Sequence, residues 1–130
     1  MVTDIHAHVI VPEITRDAAP DEDWRPLVRR ENGAQLVEVA GRGVRSMVEE
    51  VVDLEGILAA QDEAGVDRVV LCPFVPLLYY DAEPEEGLLR CRIQNDALAR
   101  LVRSNPERVA ALGAVPLQDP ELAASELRAL

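Results

Sequence analysis

The stretch Thr3-Asp4-Ile5-His6-Ala7-His8-Val9-Ile10, TDIHAHVI, contains both histidines of this 130-residue chain. Its alternation predicts a β-strand over residues 2–8, which Pro12 ends. Side chains two positions apart lie on the same face of a strand, so Asp4, His6 and His8 are expected to share one face. Two imidazoles placed in this way can converge on a single divalent ion.

The remainder of the chain predicts alternating helices and strands. Helices are expected over residues 54–64, 86–104 and from 120 onward, and strands over residues 66–71 and 108–115. Asp53 and Asp119 stand at N-cap positions, and Gly65 stands where the first helix ends. The order βαβαβα builds a parallel sheet, either doubly wound or closed as a barrel.

Residues 10–52 read as a long loop within a single domain that covers residues 1–130. Apolar runs at 34–40 and 44–48 flank Gly41-Arg42-Gly43, a pattern that predicts a short β-hairpin. A segment of this length without a major element is typical of a functional loop.

Composition excludes several classes of function. A formal charge of −11 and a pI near 4.5 argue against nucleic acid as a partner. No apolar run is long enough to span a membrane. The chain has no lysine, which excludes a Schiff-base lysine and a Walker-type loop within it. Cys72 and Cys91 lie far apart without a CxxC pair, so reduced thiols and a cytoplasmic location are expected.

The first-strand histidines point to metal chemistry. Active sites of parallel α/β proteins gather at the carboxyl ends of the strands, where His6 and His8 are expected. Asp4 on the same face could orient a ligand through a hydrogen bond. The alternative is that both histidines bind loop carbonyl groups at the strand end. The pattern DxHxH in this context favours a metal site.

A catalytic zinc ion usually has three protein ligands, so two histidines leave its ligand set incomplete. Candidates for a further ligand are Glu13, Glu49, Glu50, Asp53 and Cys72. None has a diagnostic spacing, and Cys72 also fits the role of a small buried residue.

Two residues are candidates for contacts with a substrate. Arg45 could bind a substrate carboxylate through two parallel hydrogen bonds, although its spacing alone also fits a solvated loop charge. Tyr80, beside Tyr79 after the second strand, could line a pocket at the carboxyl ends of the strands, or the pair could pack the loop itself.

Four stretches carry a resemblance to a known family: DIHAHVIVPE at residues 4–13, LAAQDEAGVDRVVLCPFVPLLYY at 58–80, RIQNDALARLV at 92–102 and PERVAALGAVPLQDPELAASEL at 106–127. The first resembles the opening strand of the metal-dependent amidohydrolase superfamily. The other three are similar in order and spacing to its amidohydrolase-related (amidohydrolase 2) branch. That branch includes 2-amino-3-carboxymuconate 6-semialdehyde decarboxylase and its relatives.

The resemblance implies a (β/α)8 TIM barrel with a divalent metal, usually zinc, and nonoxidative decarboxylation or hydrolysis of a small carboxylated substrate. It assigns His6 and His8 as the two first-strand metal ligands. It also assigns Arg45 to the arginine that holds a substrate carboxylate, and places Tyr80 in the loop after the second strand. Asp81 stands where the decarboxylase has tryptophan, which is a departure in the substrate loop.

Length limits the expected activity, because the remaining ligands of that family lie in later strands. About 250 residues make a typical barrel, so this chain is expected to supply roughly the first three β/α units. The isolated chain is then expected to be inactive, with a homo-oligomer or a complementing C-terminal chain as possible partners. Two alternatives remain: a metal-dependent phosphoesterase or nuclease of the DxHxH type, and a catalytically empty α/β fragment that acts as an assembly module.

Overall fold

The computed structural model describes residues 1–32, 34–39, 41–46 and 53–130, and for residues 44–46 only the backbone. Its elements are β1 (Thr3–Val9), β2 (Leu27–Glu31), β3 (Ala34–Val39), β4 (Arg42–Ser46), α1 (Leu54–Glu63), β5 (Arg68–Pro73), α2 (Pro84–Ser104), β6 (Val109–Ala111) and α3 (Pro120–Ala129). Short 3-10 turns follow β1 at Pro12–Ile14 and β5 at Val75–Leu77.

A three-stranded parallel sheet with the order β1-β5-β6 organises the chain, as the alternation predicts. The register places His8 opposite Cys72 and Val9 opposite Pro73. The carboxyl ends of β1 and β5 therefore meet at one edge of the sheet. Val69 and Leu71 of β5 are buried in the hydrophobic core together with residues of α2.

Local signals at the ends of α1 explain where β5 begins. Asp53 Oδ1 accepts a hydrogen bond from the Glu55 backbone at 3.1 Å, which confirms the predicted N-cap. Gly65 has φ +70°, and the Val66 amide donates to the Gln61 carbonyl at 2.8 Å. This is a Schellman-type helix end, in which the Val66 amide bonds to the last turn of α1. The strand therefore begins at residue 68 rather than at residue 66 as predicted.

The second and third helices follow the predicted pattern, with Pro84 and Pro120 in their first turns. Asp119 caps α3 by accepting from the amides of Glu121 and Leu122, both at 2.9 Å. Strand β6 is shorter than the predicted 108–115, since only Val109–Ala111 pairs with β5. Its partner strand ends at a proline, which has no amide hydrogen to continue the ladder.

A second sheet, antiparallel with the order β2-β3-β4, occupies much of the predicted loop at 10–52. The predicted hairpin is present as β3 and β4, and its second strand begins at Arg42 rather than at residue 44. The predicted strand ends at residues 40, 47 and 48 lie outside the described residues. Strand β2 was not predicted, because three of its five residues carry charge. Those charges lie on an exposed edge strand, and Arg29 pairs with Glu38 of β3 at 3.2 Å.

The hydrophobic core joins the two sheets. It includes Val37 of β3, Ile57 of α1 and Leu98 of α2 as well as the residues of β5. Within the described residues, no helix is both long and apolar enough to cross a membrane.

Candidate metal centre

His6 and His8 bring their imidazole rings together at the carboxyl end of β1. The two Nε2 atoms are 3.1 Å apart, and the rings meet edge to face with centroids 4.6 Å apart. Two nitrogens bound to one zinc ion at about 2.1 Å each can lie at most about 4.2 Å apart. The pair therefore fits two ligands of a single divalent cation.

The ring of His8 is held by the end of the neighbouring strand. Its Nδ1 lies 3.0 Å from the backbone carbonyl oxygen of Pro73. A carbonyl oxygen can only accept, so Nδ1 carries the hydrogen and donates. Metal-binding histidines are commonly oriented by such a bond at the second nitrogen.

The ring of His6 has its own contact with β5. Its Nδ1 lies 3.8 Å from Sγ of Cys72, a residue with only 7% of its surface exposed. Burial, and next the charge of Asp4, raise the pKa of the Cys72 thiol above its usual 9.0. The sulfur is therefore held in the protonated form beside the first histidine.

Asp4 stabilises the backbone from which His6 projects. Its Oδ1 accepts from the His6 amide at 3.0 Å, and its Oδ2 accepts from Nε2 of Gln61 in α1 at 2.9 Å. The register shifts here, because Ile5 and His6 lie opposite the single residue Val70. Such a bulge leaves a backbone amide without its ladder partner. These bonds of Asp4 go to the backbone amide of His6 and to the side chain of Gln61 in α1, and its predicted role in orienting a ligand stays a prediction.

Among the described residues, the candidates for a further ligand do not join the pair. Glu13 forms an ion pair with Arg100 at 2.7 Å, and Asp53 caps α1. Cys72 faces Nδ1 of His6, the nitrogen that points away from His8. Glu49 and Glu50 lie outside the described residues. In the part of the chain that the structure describes, no group of three or more His, Cys, Asp or Glu could hold a metal.

The two adjacent tyrosines behave differently. Tyr79 is buried, its ring meets Trp24 edge to face at 5.8 Å, and the guanidinium of Arg90 lies 4.8 Å from the ring centre. Tyr79 therefore packs the loop, and burial raises its pKa. Tyr80 is 44% exposed. Its predicted contact with a substrate stays a prediction.

Arg45 lies in β4, opposite Leu36 of β3, within the predicted hairpin. Its side chain is outside the described residues, so its substrate contact also stays a prediction. A neighbouring open cavity of about 430 Å³ lies between β4 and α2. Its lining includes Arg42, Asp81 and Arg90 but neither histidine.

Gln61 and Pro73 were missed as contributors to this site. In the sequence, Gln61 falls within the helical pattern of α1 and Pro73 marks the end of a strand. Their bonds to Asp4 and His8 join residues 57 and 65 positions apart. No local pattern reports such contacts, because they depend on the packing of α1 and β5 against β1.

No protein-family model matches the chain. Over 126 residues it is 32% identical to γ-resorcylate decarboxylase of Polaromonas sp. strain JS666. That match covers 95% of this chain and 33% of the relative. The homologues of this chain are decarboxylases of the amidohydrolase fold. This confirms the predicted resemblance, and the chain spans about a third of the length of the curated relatives that it matches.

Solved structures of decarboxylases also resemble this chain. The dihydroxybenzoic acid decarboxylase from Polaromonas sp. JS666, with bound manganese and the inhibitor 2-nitroresorcinol, is 27% identical with a TM-score of 0.66. The 5-carboxyvanillate decarboxylase from Sphingomonas paucimobilis is 26% identical, also with a TM-score of 0.66. Each match covers 98% of this chain, and 33% and 38% of the two structures. The predicted TIM-barrel type is confirmed, with this chain covering about a third of it.

Proposed function

We propose that this chain is part of a divalent-metal-dependent nonoxidative decarboxylase, in which His6 and His8 are two of the metal ligands. The observation that carries the proposal is the 3.1 Å separation of their Nε2 atoms at the carboxyl end of β1. Chemistry in parallel α/β barrels takes place at this end of the strands.

The relatives favour decarboxylation over hydrolysis and over phosphoester cleavage, because the proteins that this chain resembles are decarboxylases. We propose a small carboxylated aromatic as the substrate class, since γ-resorcylate and 5-carboxyvanillate give the relatives their names. Arg45 would bind a carboxylate of the substrate, and Tyr80 would contact it from the loop after β5.

The metal itself is proposed as a divalent cation. A relative binds manganese, and the resemblance implies zinc. Imidazole nitrogen is a suitable ligand for either ion. When bound, such an ion polarises an oxygen of the substrate as a Lewis acid. Within this chain, His6 and His8 would bind the ion and Asp4 would fix the β1 backbone beneath them.

The ligand set must be completed by groups beyond the two histidines. We propose that further β/α units supply them, either in the same polypeptide, in a second copy or in a complementing chain. Both cysteines are free thiols, which supports a reducing, cytoplasmic compartment.

A chimera tests the proposal directly. This chain would replace the matching third of the Polaromonas γ-resorcylate decarboxylase, and loss of γ-resorcylate would be followed by ultraviolet absorbance. We expect turnover by the chimera and none by the chain alone. The same chimera with His6→Gln should lose at least about 100-fold in rate, while Arg103→Gln, at an exposed position, should not. A folded, metal-loaded chimera that leaves γ-resorcylate and 5-carboxyvanillate unchanged would contradict the proposed substrate class.

A further inference from the structure

Four groups form a series of contacts across the site, from Cys72 through both histidines to Pro73. The contacts are Cys72 Sγ to His6 Nδ1 at 3.8 Å, His6 Nε2 to His8 Nε2 at 3.1 Å, and His8 Nδ1 to Pro73 O at 3.0 Å. Each ring nitrogen of the pair therefore has one partner. The positions of the hydrogens follow from which of these partners can donate.

The carbonyl of Pro73 fixes the first hydrogen, because it can only accept. His8 therefore donates from Nδ1. A neutral imidazole carries one hydrogen, so Nε2 of His8 presents a lone pair. The contact at 3.1 Å then requires Nε2 of His6 to donate.

The same logic fixes His6. With its hydrogen at Nε2, neutral His6 presents a lone pair at Nδ1, and the neighbouring group there is the Cys72 thiol. A cysteine thiol has an S–H group, so it can donate to that lone pair. All three contacts are then hydrogen bonds with one donor each.

We propose that Cys72 and Pro73, at the end of β5, hold the two histidines in opposite tautomers in the metal-free protein, and that Cys72 is a positioning residue whose bond to His6 reverses when a divalent cation binds. The reversal rests on the proposed function. The opposite tautomers rest on the three contacts alone.

The reversal balances without net loss of a proton. Binding of one cation by both Nε2 atoms requires a lone pair on each. The N–H bond at His6 Nε2 breaks, and an N–H bond forms at Nδ1 through solvent. Nδ1 of His6 then donates to the sulfur of Cys72, whose own hydrogen rotates away. A thiol or a hydroxyl can serve in both directions, whereas an alkyl side chain can serve in neither.

Nitrogen-15 NMR of the imidazole rings tests the tautomers. With only two histidines in the chain, four ring nitrogen signals are expected, and a His6→Gln variant assigns them. At about pH 8 the metal-free protein should show hydrogen at Nε2 of His6 and at Nδ1 of His8. With Zn²⁺, both rings should carry it at Nδ1. Two identical tautomers without metal, or a His6 that keeps its Nε2 hydrogen with zinc bound, would overturn the proposal.

Zinc titration of cysteine variants tests the role of Cys72. Cys72→Val should weaken zinc binding about tenfold, and Cys72→Ser should restore it. Cys91→Val, at the other buried cysteine, is the matched control and should bind as the unchanged chain does. Equal affinity of Cys72→Val and Cys91→Val would overturn the role of Cys72. If the unchanged chain bound no zinc, the reversal would be overturned, whereas the metal-free tautomers would be tested by the nitrogen-15 spectra and the proposed function by the chimera.

Discussion

Asn95 of α2 pairs with both backbone groups of Ala114, beyond the end of β6. The Ala114 amide donates to Asn95 Oδ1 and Asn95 Nδ2 donates to the Ala114 carbonyl, both at 2.8 Å. The same Nδ2 also donates to Glu126 of α3 at 2.9 Å. One buried side-chain amide therefore holds the backbone at Ala114, beyond β6, and joins α2 to α3.

Replacing Asn95 with alanine should destabilise the protein by about 3 kcal/mol, because the buried backbone groups of Ala114 and one oxygen of the buried Glu126 carboxylate lose their partner. Chemical denaturation measures the free energy of unfolding. Asp96→Ala, on the exposed side of the same helix, is the matched control and should change it by less than about 0.5 kcal/mol. Equal losses in the two variants would contradict the assigned role of Asn95.

Alanine substitutions of the adjacent residues Tyr79 and Tyr80 should differ in their effect on the free energy of unfolding. Tyr79 has φ +54°, a conformation unusual for a bulky residue, and its ring is buried against Trp24 and Arg90. We expect Tyr79→Ala to cost about 3 kcal/mol of unfolding free energy. Tyr80→Ala, at an exposed position, should cost no more than about 0.5 kcal/mol. A large loss from Tyr80→Ala would mean that Tyr80 supports the fold rather than contacting a substrate.

The ion pair of Glu13 with Arg100 should give a small pH dependence. Partial burial disfavours the charged form of Glu13, but hydrogen bonds from Arg100 and from its own backbone, together with the charge of Arg100, hold its pKa below the ordinary 4.5. A lowered carboxyl pKa stabilises the fold above the unfolded-state value, and that stability is lost as the pH falls through the folded-state pKa. The side chains are 43% and 51% exposed, so we expect only about 0.5 kcal/mol.

Urea unfolding at pH 7 and at pH 3 measures this contribution of Glu13. Glu13→Gln should be slightly less stable than the unchanged chain at pH 7, and the difference should shrink at pH 3. Glu107→Gln, at an exposed position, serves as the control. A difference between Glu13→Gln and the unchanged chain that grows toward acid pH would contradict the pairing.

Asp4 should affect metal affinity without being a ligand. Asp4→Ala removes the acceptor for the His6 amide and for Gln61, so we expect metal binding to weaken about tenfold and one site per chain to remain. Asp53→Ala is the control: loss of its helix cap should cost about 1 kcal/mol of stability and leave metal affinity unchanged. If Asp4→Ala abolished the site, Asp4 would act as a ligand.

Elements that depend on neighbours in the sequence could be predicted. The alternation of β1, the cap at Asp53, the glycine at position 65 and the proline start of α3 are all local signals. Each acts within a few residues, which explains why the order of strands and helices in the parallel sheet follows from them. The two histidines were found for the same reason, because i and i+2 on a strand share a face.

Contacts between distant residues could not be predicted in this way. Cys72 and Pro73 reach the histidines only because β5 pairs with β1 in a particular register. The bulge at Ile5 and His6 follows from that register together with the bonds of Asp4. Strand β2 was missed because its charged residues suit an exposed edge strand, and such a strand lacks the apolar pattern that predicts a strand.

Calorimetric titration with Mn²⁺ and Zn²⁺ tests whether His6 and His8 bind a divalent cation. The unchanged chain, His6→Gln, His8→Gln and the double variant would be compared, with circular dichroism to confirm the fold of each. We expect one ion per chain for the unchanged protein, weaker binding in each single variant and none in the double variant. An unchanged ion count and affinity in a folded double variant would contradict it.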